Sequence, residues 1–220
     1  MSSNLKKRIA TSVLLISLLI LMFLYTYVMI VFLIIIAIIS WIEFYALISK
    51  IIKKNNLKDK FLRFLYKTLS LFYLSGLVYL IFAIESGYSN LKIYLLYSVL
   101  VAIMSDLGGL IFGKILKGKK LTKISPNKTI SGSIGSFIFS TSLIPFFYKI
   151  QIDQTLLNIL IITIILSATS QLGDLFISLL KRKAKVKDTS DLLPGHGGVL
   201  DRIDGIIFAI PLGIYLFIVI

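Results

Sequence analysis

The sequence contains no cysteine and a single histidine, His196. The absence of cysteine excludes disulfides, thiolate metal sites and cysteine nucleophiles. One histidine excludes the histidine-rich sites that usually hold zinc. Acidic residues are also scarce, with 10 Asp and Glu against 24 Lys and Arg. A metal site would therefore be built mainly from carboxylates, which favour a hard cation such as Mg²⁺.

Hydrophobic residues make up 57% of the 220 residues, above the roughly 45–50% typical of soluble domains. No charged residue occurs from Ile9 to Ile42, a helical length of about 51 Å that is too long for one membrane span. We therefore expect a tight hairpin near residues 25–27, and a first helix that is retained rather than cleaved as a signal peptide. Glu43, next to Trp41, fits a plain interfacial residue.

The sequence predicts an all-α, polytopic membrane protein with about seven transmembrane helices, its N-terminus inside and its C-terminus outside. Twenty-two of the 24 Lys and Arg fall on the predicted cytoplasmic side. The net charge of +14 is therefore interpreted first as a result of membrane topology, with basic loops held in the cytoplasm. Residues 1–90 are predicted to hold three N-terminal spans, and residues 91–220 a catalytic region with cytoplasmic loops 114–130 and 181–203. The predicted spans are 9–25, 27–48, 64–84, 91–116, 130–148, 156–180 and 204–220.

A polar stripe interrupts the sixth predicted span. Gln171, Asp174, Ser178 and Lys181 are spaced so that they share one helix face. Asp174 lies inside the predicted membrane edge, where an ionisable residue is more often functional than structural. The alternative interpretation is a structural hydrogen bond between helices.

Asp201 and Asp204 begin the last predicted helix, where carboxylates can cap the helix or bind a metal ion. Together with Asp174 and Asp106 they place four carboxylates near one level of the membrane. A divalent cation would relieve their mutual repulsion. Nearby basic side chains could do the same: Lys181, Arg182 and Arg202.

Two loops, one rich in glycine and one followed by Gly132 and Gly135, suit phosphate groups. Pro-Gly-His-Gly-Gly at 194–198 and Ile-Ser-Pro-Asn-Lys-Thr at 124–129 offer backbone N–H groups, hydroxyls and lysine before helices. The first could instead be a flexible turn, and the second a surface for anionic lipids.

The segment 178–204 resembles the signature of the phosphatidate cytidylyltransferase family, also called CDP-diglyceride synthetases. The matching residues include the Ser-x-Leu-Lys-Arg run at 178–182, Lys-Asp at 187–188, His-Gly-Gly at 196–198 and Asp-Arg-Ile-Asp at 201–204. The block Asp-Leu-Gly at 106–108 and the block 124–132 are also similar to the family, except that Asn127 replaces a lysine and Ser131 a glutamate.

The resemblance implies the reaction of CTP with phosphatidate to give CDP-diacylglycerol and pyrophosphate. It implies Mg²⁺, with or without a second cation, and CTP, phosphatidate and membrane lipids as partners. It also suggests a homodimer. No nucleic acid partner is expected, and the site is expected to face the cytoplasm from a prokaryotic inner membrane.

Residue roles are carried over from the same resemblance. The hypothesis assigns catalysis to Asp174, Lys181, Asp201 and Arg202. It assigns the metal to Asp174, Ser178, Asp201 and Asp204. It assigns substrate binding to Asp106, Ser125, Lys128, Thr129, Arg182, Lys187, Asp188, His196, Gly197 and Gly198.

Two other functions stay open at this point. One is a CTP-dependent kinase or cytidylyltransferase that acts on another membrane lipid of the polyprenol type. The other is a transporter without catalytic activity, although transporters tend to place charges near the membrane midplane within repeated halves.

Overall fold

The computed structural model describes residues 13, 17–18, 20–22, 24–54, 56–122, 125–126, 128–148, 154–194 and 197–220. Its helices are α1 Thr26–Ile51, α2 Leu57–Gly87, α3 Lys92–Leu116, α4 Ile130–Thr141, α5 Ile144–Tyr148, α6 Leu156–Lys183, α7 Leu200–Ile203 and α8 Ile206–Val219, with a 3₁₀ turn at Ser89–Leu91. Within these ranges, β-type pairing is limited to two isolated bridges, Lys120 with Thr129 and Leu193 with Gly197. The all-α prediction is confirmed.

Six helical segments are long and apolar enough to cross a membrane, and they coincide with six of the seven predicted spans. They are Thr26–Ile51, Leu57–Gly87, Lys92–Leu116, Ile130–Tyr148, Leu156–Lys183 and Leu200–Val219. The predicted first span, 9–25, lies mostly outside the described residues. The helix is interrupted at the predicted position, because Tyr25 has extended backbone angles (φ −129°, ψ 108°) directly before α1. The reversal of the chain into a hairpin stays a prediction. The predicted orientation of the termini stays a prediction.

Helix α2 begins earlier than predicted. It starts at Leu57, seven residues before the predicted span 64–84. The reason is local, since Leu, Lys and Arg are good helix formers and Asp59 lies in the first turn, where a negative charge favours the helix. Helix α6 likewise continues to Lys183, beyond its apolar part.

The chain divides into two compact units. The first comprises residues 1–85 and 180–203, and the second residues 86–179 and 204–220. In the first unit α1 and α2 are antiparallel, because the Thr26 hydroxyl donates to Glu85 Oε1 (2.7 Å) and Trp41 Nε1 donates to the Lys67 carbonyl (3.1 Å). The proposed separation of roles between residues 1–90 and 91–220 stays a prediction.

The second unit has a buried core of aliphatic and aromatic side chains. Its residues include Tyr97, Val101, Ala102, Ile144, Phe147, Ile159, Ile162, Leu166, Ala209, Leu216 and Phe217. The Tyr97 hydroxyl lies 2.5 Å from Thr163 Oγ1, and the hydroxyls of Ser105 and Ser167 are 3.0 Å apart. Such hydrogen bonds hold helices together in a membrane. Apolar side chains contact lipid as favourably as they contact another helix, so apolar contact alone does little to bring helices together.

Glycines bring α3 and α4 into backbone contact. A Cβ on Gly108 would meet the Gly135 carbonyl, and a Cβ on Gly132 would lie 2.8 Å from the Gly109 carbonyl oxygen. Small residues of this kind permit close helix packing in membranes. Gly132 and Gly135, which follow the 124–129 loop, therefore pack α4 against α3. From the sequence alone, these glycines were connected only with phosphate binding.

Candidate functional site

The Asp201 carboxylate, at the start of α7, collects four hydrogen bonds within the first unit. Its Oδ1 accepts from Lys181 Nζ at 2.5 Å. Its Oδ2 accepts from Thr189 N (2.8 Å), Thr189 Oγ1 (2.9 Å) and Gly198 N (3.0 Å). The Asp201 side chain is only 5% exposed, so these donors and the lysine charge offset its loss of hydration. We call Lys181, Thr189, Gly198 and Asp201 the Asp201 cluster.

Glu43, on α1, is a second buried carboxylate that binds the same loop. It is 4% exposed. Its Oε1 accepts from Ser190 Oγ (2.6 Å) and Val199 N (3.1 Å). Its Oε2 accepts from Thr189 Oγ1 (2.9 Å) and Leu200 N (2.8 Å). The interpretation of Glu43 as a plain interfacial residue is therefore wrong: it caps the first N–H groups of α7 and fixes both ends of the loop 189–199.

Close packing around Gly198 and Gly197 explains why this loop needs glycine. A Cβ on Gly198 would meet Thr189 Oγ1 and both Glu43 carboxylate oxygens, the latter at 2.6 Å. Gly197 has φ +83°, a left-handed conformation that favours glycine. The loop is thus built so that its backbone can approach two carboxylates.

The end of α6 directs the chain into this loop. Lys185 has φ +57°, and Val186 N donates to the Lys181 carbonyl (3.0 Å) while Lys185 N donates to the Arg182 carbonyl (3.1 Å). These two bonds define a Schellman motif, which terminates a helix through a left-handed residue. The turn leaves the Lys181 side chain on the last part of α6 paired with Asp201.

A separate carboxylate cluster forms in the second unit around Asp174 on α6. Lys128 Nζ forms an ion pair with Asp174 Oδ2, and Ser178 Oγ donates to Asp174 Oδ1 at 3.3 Å. Both side chains of the ion pair are 25% exposed. We call Lys128, Asp174 and Ser178 the Asp174 cluster. One turn earlier on α6, Gln171 Oε1 accepts from Ser133 Oγ at 2.5 Å.

The loop before α4 is shaped to present Lys128. Leu121 N donates to the Lys128 carbonyl (2.8 Å), and Ile130 N donates to the Lys119 carbonyl (2.9 Å), so the loop returns on itself. Thr129 then caps α4, because its Oγ1 accepts from Gly132 N at 3.0 Å. Thr129 therefore has a structural role in addition to the nucleotide contact predicted for it.

The remaining predicted residues lie in several settings. Asp204 is buried at the turn between α7 and α8, and its Oδ1 accepts from Gly205 N at 2.9 Å. Exposed positions are occupied by Asp106, Arg182, Lys187, Asp188 and Arg202. Ser125 lies in the loop before α4, where its carbonyl accepts from Lys128 N at 3.1 Å. The prediction for His196 lies outside the described residues.

Glu43, Thr189 and Ser190 are the functional candidates that the sequence reasoning missed. A signal for Glu43 was present, since it is a lone acid within a long apolar helix and such residues are usually functional. Thr189 occupies an unspecified position of the 178–204 signature, and Ser190 a position that requires only a small residue, so neither was given a role. They matter because the fold brings both of them to Glu43, although they lie 146 and 147 positions further along the chain.

The Asp174 cluster offers donors of the type that a hard cation takes. Octahedral Mg²⁺ with ligands at about 2.1 Å places adjacent oxygens about 3 Å apart. The 3.3 Å between Ser178 Oγ and Asp174 Oδ1 is close to that spacing. Taking each unit by itself, its described residues include no set of three His, Asp or Glu side chains arranged as metal ligands. The metal assignment to Asp174, Ser178, Asp201 and Asp204 stays a prediction.

The fold and the site define a polytopic helical membrane protein in which buried carboxylates hold lysines and a glycine loop. The model of the cytidylyltransferase family matches residues 3–220, and the chain belongs to this family.

Curated relatives are similar over about half of the chain. A phosphatidate cytidylyltransferase of Staphylococcus haemolyticus is 46% identical over 121 residues, which cover 54% of this chain and 46% of the relative. Proteins of the same name from Staphylococcus saprophyticus and Staphylococcus aureus strain COL are 47% and 43% identical over 122 residues, again covering 54% of this chain and 46% of each relative. The chain therefore spans about half the length of the curated relatives it matches.

Proposed function

We propose that this chain is a phosphatidate cytidylyltransferase that converts CTP and phosphatidate to CDP-diacylglycerol and pyrophosphate. Family membership and the names of the relatives support the proposal. The observation that carries it is the Asp201 cluster, in which three signature positions, Lys181, Gly198 and Asp201, are joined with the neighbouring Thr189 by hydrogen bonds of 2.5–3.0 Å.

The chemistry requires cations more than a base. A phosphate oxygen of phosphatidate attacks the α-phosphorus of CTP, a new P–O bond forms, and the bond from the α-phosphorus to the bridging oxygen breaks to release pyrophosphate. The attacking phosphate is already ionised near neutral pH. The barrier lies in bringing two anions together and in stabilising the leaving group, which positioned lysines, arginines and metal ions can do.

Lys181 is the best placed of the proposed cationic groups. Its ammonium has three N–H donors and gives one to Asp201, so the other two can reach phosphate oxygens. The Asp201 carboxylate orients the ammonium and holds the loop that carries Gly198. Arg182, Lys187 and Arg202 are exposed and can contact the triphosphate or the lipid phosphate.

The Asp174 cluster is proposed to serve the nucleotide side. Lys128 pairs with Asp174 and can exchange that carboxylate for a phosphate. Asp174 and Ser178 would hold Mg²⁺. When bound, the cation would neutralise charge on the triphosphate as pyrophosphate leaves.

The proposed setting is a bacterial inner membrane, with both clusters facing the cytoplasm where CTP is found. The six helices that are long and apolar enough to cross a membrane support an integral membrane protein. The basic segments 50–67, 114–128 and 181–187 support this orientation. A homodimer is part of the proposal and rests on the resemblance alone.

The test uses purified protein in detergent–phosphatidate micelles with labelled CTP and Mg²⁺. We expect lipid-soluble cytidine label and stoichiometric pyrophosphate, both abolished by EDTA and by Asp201→Asn. Phosphorylation of a polyprenol in place of label transfer to phosphatidate would establish the lipid kinase instead. Consumption of neither lipid by folded protein would overturn the catalytic proposal.

A further inference from the structure

A groove lined by five lysines lies in the first unit, apart from the Asp201 cluster. Its volume is about 430 Å³. The lining comes from the end of α1 and the segment after it, from the first turn of α2, and from the end of α6. The residues are Lys50, Ile51, Ile52, Lys53, Lys54, Asp59, Lys183, Ala184 and Lys185.

The charge of the groove is strongly unbalanced. Its lining includes five lysines and one acidic residue, Asp59. Across the described parts of the chain, no ion pair joins these lysines to an acidic group. Like charges gathered around one cavity repel one another, and an anion bound between them removes that repulsion.

The groove lies at the C-terminal ends of two helices that are predicted to span the membrane. Helix α1 ends at Ile51 and α6 ends at Lys183, and both helices are long and apolar enough to cross a membrane. Ile51, Ile52 and Ala184 give the groove an apolar part beside its lysines. A soluble phosphate would make no favourable contact with that apolar part. A phospholipid carries its phosphate directly above apolar chains, so it can contact both parts of the groove.

One groove residue is held in a conformation that its side chain disfavours. Lys185 has φ +57° at the left-handed position that ends α6, where glycine is the usual residue. A non-glycine residue in this region raises the energy of the fold by about 1 kcal/mol. A lysine kept at such a position is a reason to look for a function of its side chain.

The groove is also distinct from the residues that carry the family signature. Lys183, Ala184 and Lys185 fall in the four-residue gap of that signature, between the Lys-Arg pair at 181–182 and the Lys-Asp pair at 187–188. The groove therefore uses residues for which the proposed reaction has no role.

We propose that this groove binds the phosphate headgroup of an anionic phospholipid at the membrane surface, as a site separate from the one at which substrates react. The proposal does not depend on the proposed enzymatic activity. Each lysine near a bilayer surface strengthens binding to an anionic lipid by about fivefold, so the five together give a marked preference over neutral lipid.

Native mass spectrometry of the full chain in detergent tests the proposal with phosphatidylglycerol and phosphatidylcholine as probes. We expect phosphatidylglycerol to be retained at least about fivefold more strongly than phosphatidylcholine. The double variants Lys53→Gln/Lys54→Gln and Lys183→Gln/Lys185→Gln should each lose most of that preference. Unchanged retention in both variants would overturn the proposal.

A matched control and a soluble competitor complete the experiment. Lys58→Gln/Lys60→Gln removes two exposed lysines of α2 that do not line the groove, and it should retain phosphatidylglycerol like the unaltered chain. Glycerol phosphate at millimolar concentration should not displace the lipid. If it displaces the lipid as well as a short-chain phosphatidylglycerol does, the groove is a site for soluble phosphates and the lipid assignment is wrong.

The Lys185→Gly variant separates binding from folding. Glycine removes the left-handed strain as well as the charge, so the variant should melt at a higher temperature while retaining less phosphatidylglycerol. A higher melting temperature with unchanged lipid retention would show that Lys185 does not contribute to binding, which contradicts the proposed site.

Discussion

Glu43 and Asp201 share one hydroxyl, that of Thr189, whose Oγ1 lies 2.9 Å from Glu43 Oε2 and 2.9 Å from Asp201 Oδ2. A hydroxyl has one proton and can donate to only one of them at a time. Both carboxylates keep their other donors in either case, Glu43 from Ser190, Val199 and Leu200. The loop is therefore fixed from two sides, from α1 and from the start of α7.

Replacing Glu43 should loosen this loop without touching any signature residue. Glu43→Ala leaves two backbone N–H groups and the Ser190 hydroxyl without this acceptor, while the Thr189 hydroxyl keeps Asp201, and we expect a loss of about 3 kcal/mol of unfolding free energy. Glu43→Gln keeps one acceptor oxygen and should lose about half as much. Thermal unfolding in detergent and proteolysis within residues 189–199 measure the effect.

Glu85→Gln is the matched control for Glu43, because Glu85 accepts a hydrogen bond from the Thr26 hydroxyl near the other ends of α1 and α2. It should leave proteolysis of the loop unchanged. Equal stability of the Glu43→Ala and Glu85→Gln variants would mean that Glu43 does not hold the loop.

The Lys181–Asp201 pair should show strong energetic coupling. Both side chains are largely buried, so Lys181→Met leaves an uncompensated buried carboxylate and should destabilise the protein by about 3–5 kcal/mol. Adding Asp201→Asn removes that charge, so the double variant should be less destabilised than the sum of the single variants. A double-mutant cycle on unfolding measures the coupling, and additive effects would contradict a direct ion pair.

The positions of the helices could be predicted from the sequence because the length of an apolar run is a local property. The break at Tyr25 followed from the same reasoning, since 34 uncharged residues exceed one span. Helix ends were less predictable. Charged turns extend α2 and α6 beyond their apolar parts. The turn that follows α6 has Lys185 at its left-handed position, where glycine is the usual residue.

The candidate site could be predicted only where its residues lie within one signature. Lys181, Gly198 and Asp201 belong to the 178–204 segment and are found together. Glu43 reaches that segment across more than 140 residues, and no local periodicity encodes a contact of that kind. The sequence offered only the lone charge in an apolar helix, which fits an interfacial residue equally well.

Substitution of Gly198 by alanine should disrupt both carboxylates at once. The new methyl group would meet the Thr189 hydroxyl and both oxygens of Glu43, so we expect a loss of about 2–3 kcal/mol and of any activity that depends on the loop. Gly76→Ala is the control, since a Cβ there meets nothing within 4 Å and alanine favours the helix α2 by about 1 kcal/mol. Differential scanning of both variants should give melting temperatures that move in opposite directions. A Gly198→Ala protein as stable as the unaltered chain would show that the loop can move away from Glu43.

Asp174→Asn should separate function from folding. The carboxylate is partly exposed and its partners are Lys128 and Ser178, so the isosteric amide should change the unfolding free energy by no more than about 1 kcal/mol. Label transfer from CTP to phosphatidate should fall by at least about 100-fold, because the neutral amide neither orients Lys128 nor binds a divalent cation well. Asp191→Asn, at an exposed loop position, should transfer label at the normal rate. Titration with Mg²⁺ adds a second readout, since a weaker cation ligand should raise the Mg²⁺ concentration needed for half-maximal residual activity. Near-normal turnover of Asp174→Asn at low Mg²⁺ would remove Asp174 from the proposed metal site and leave it as the partner that positions Lys128.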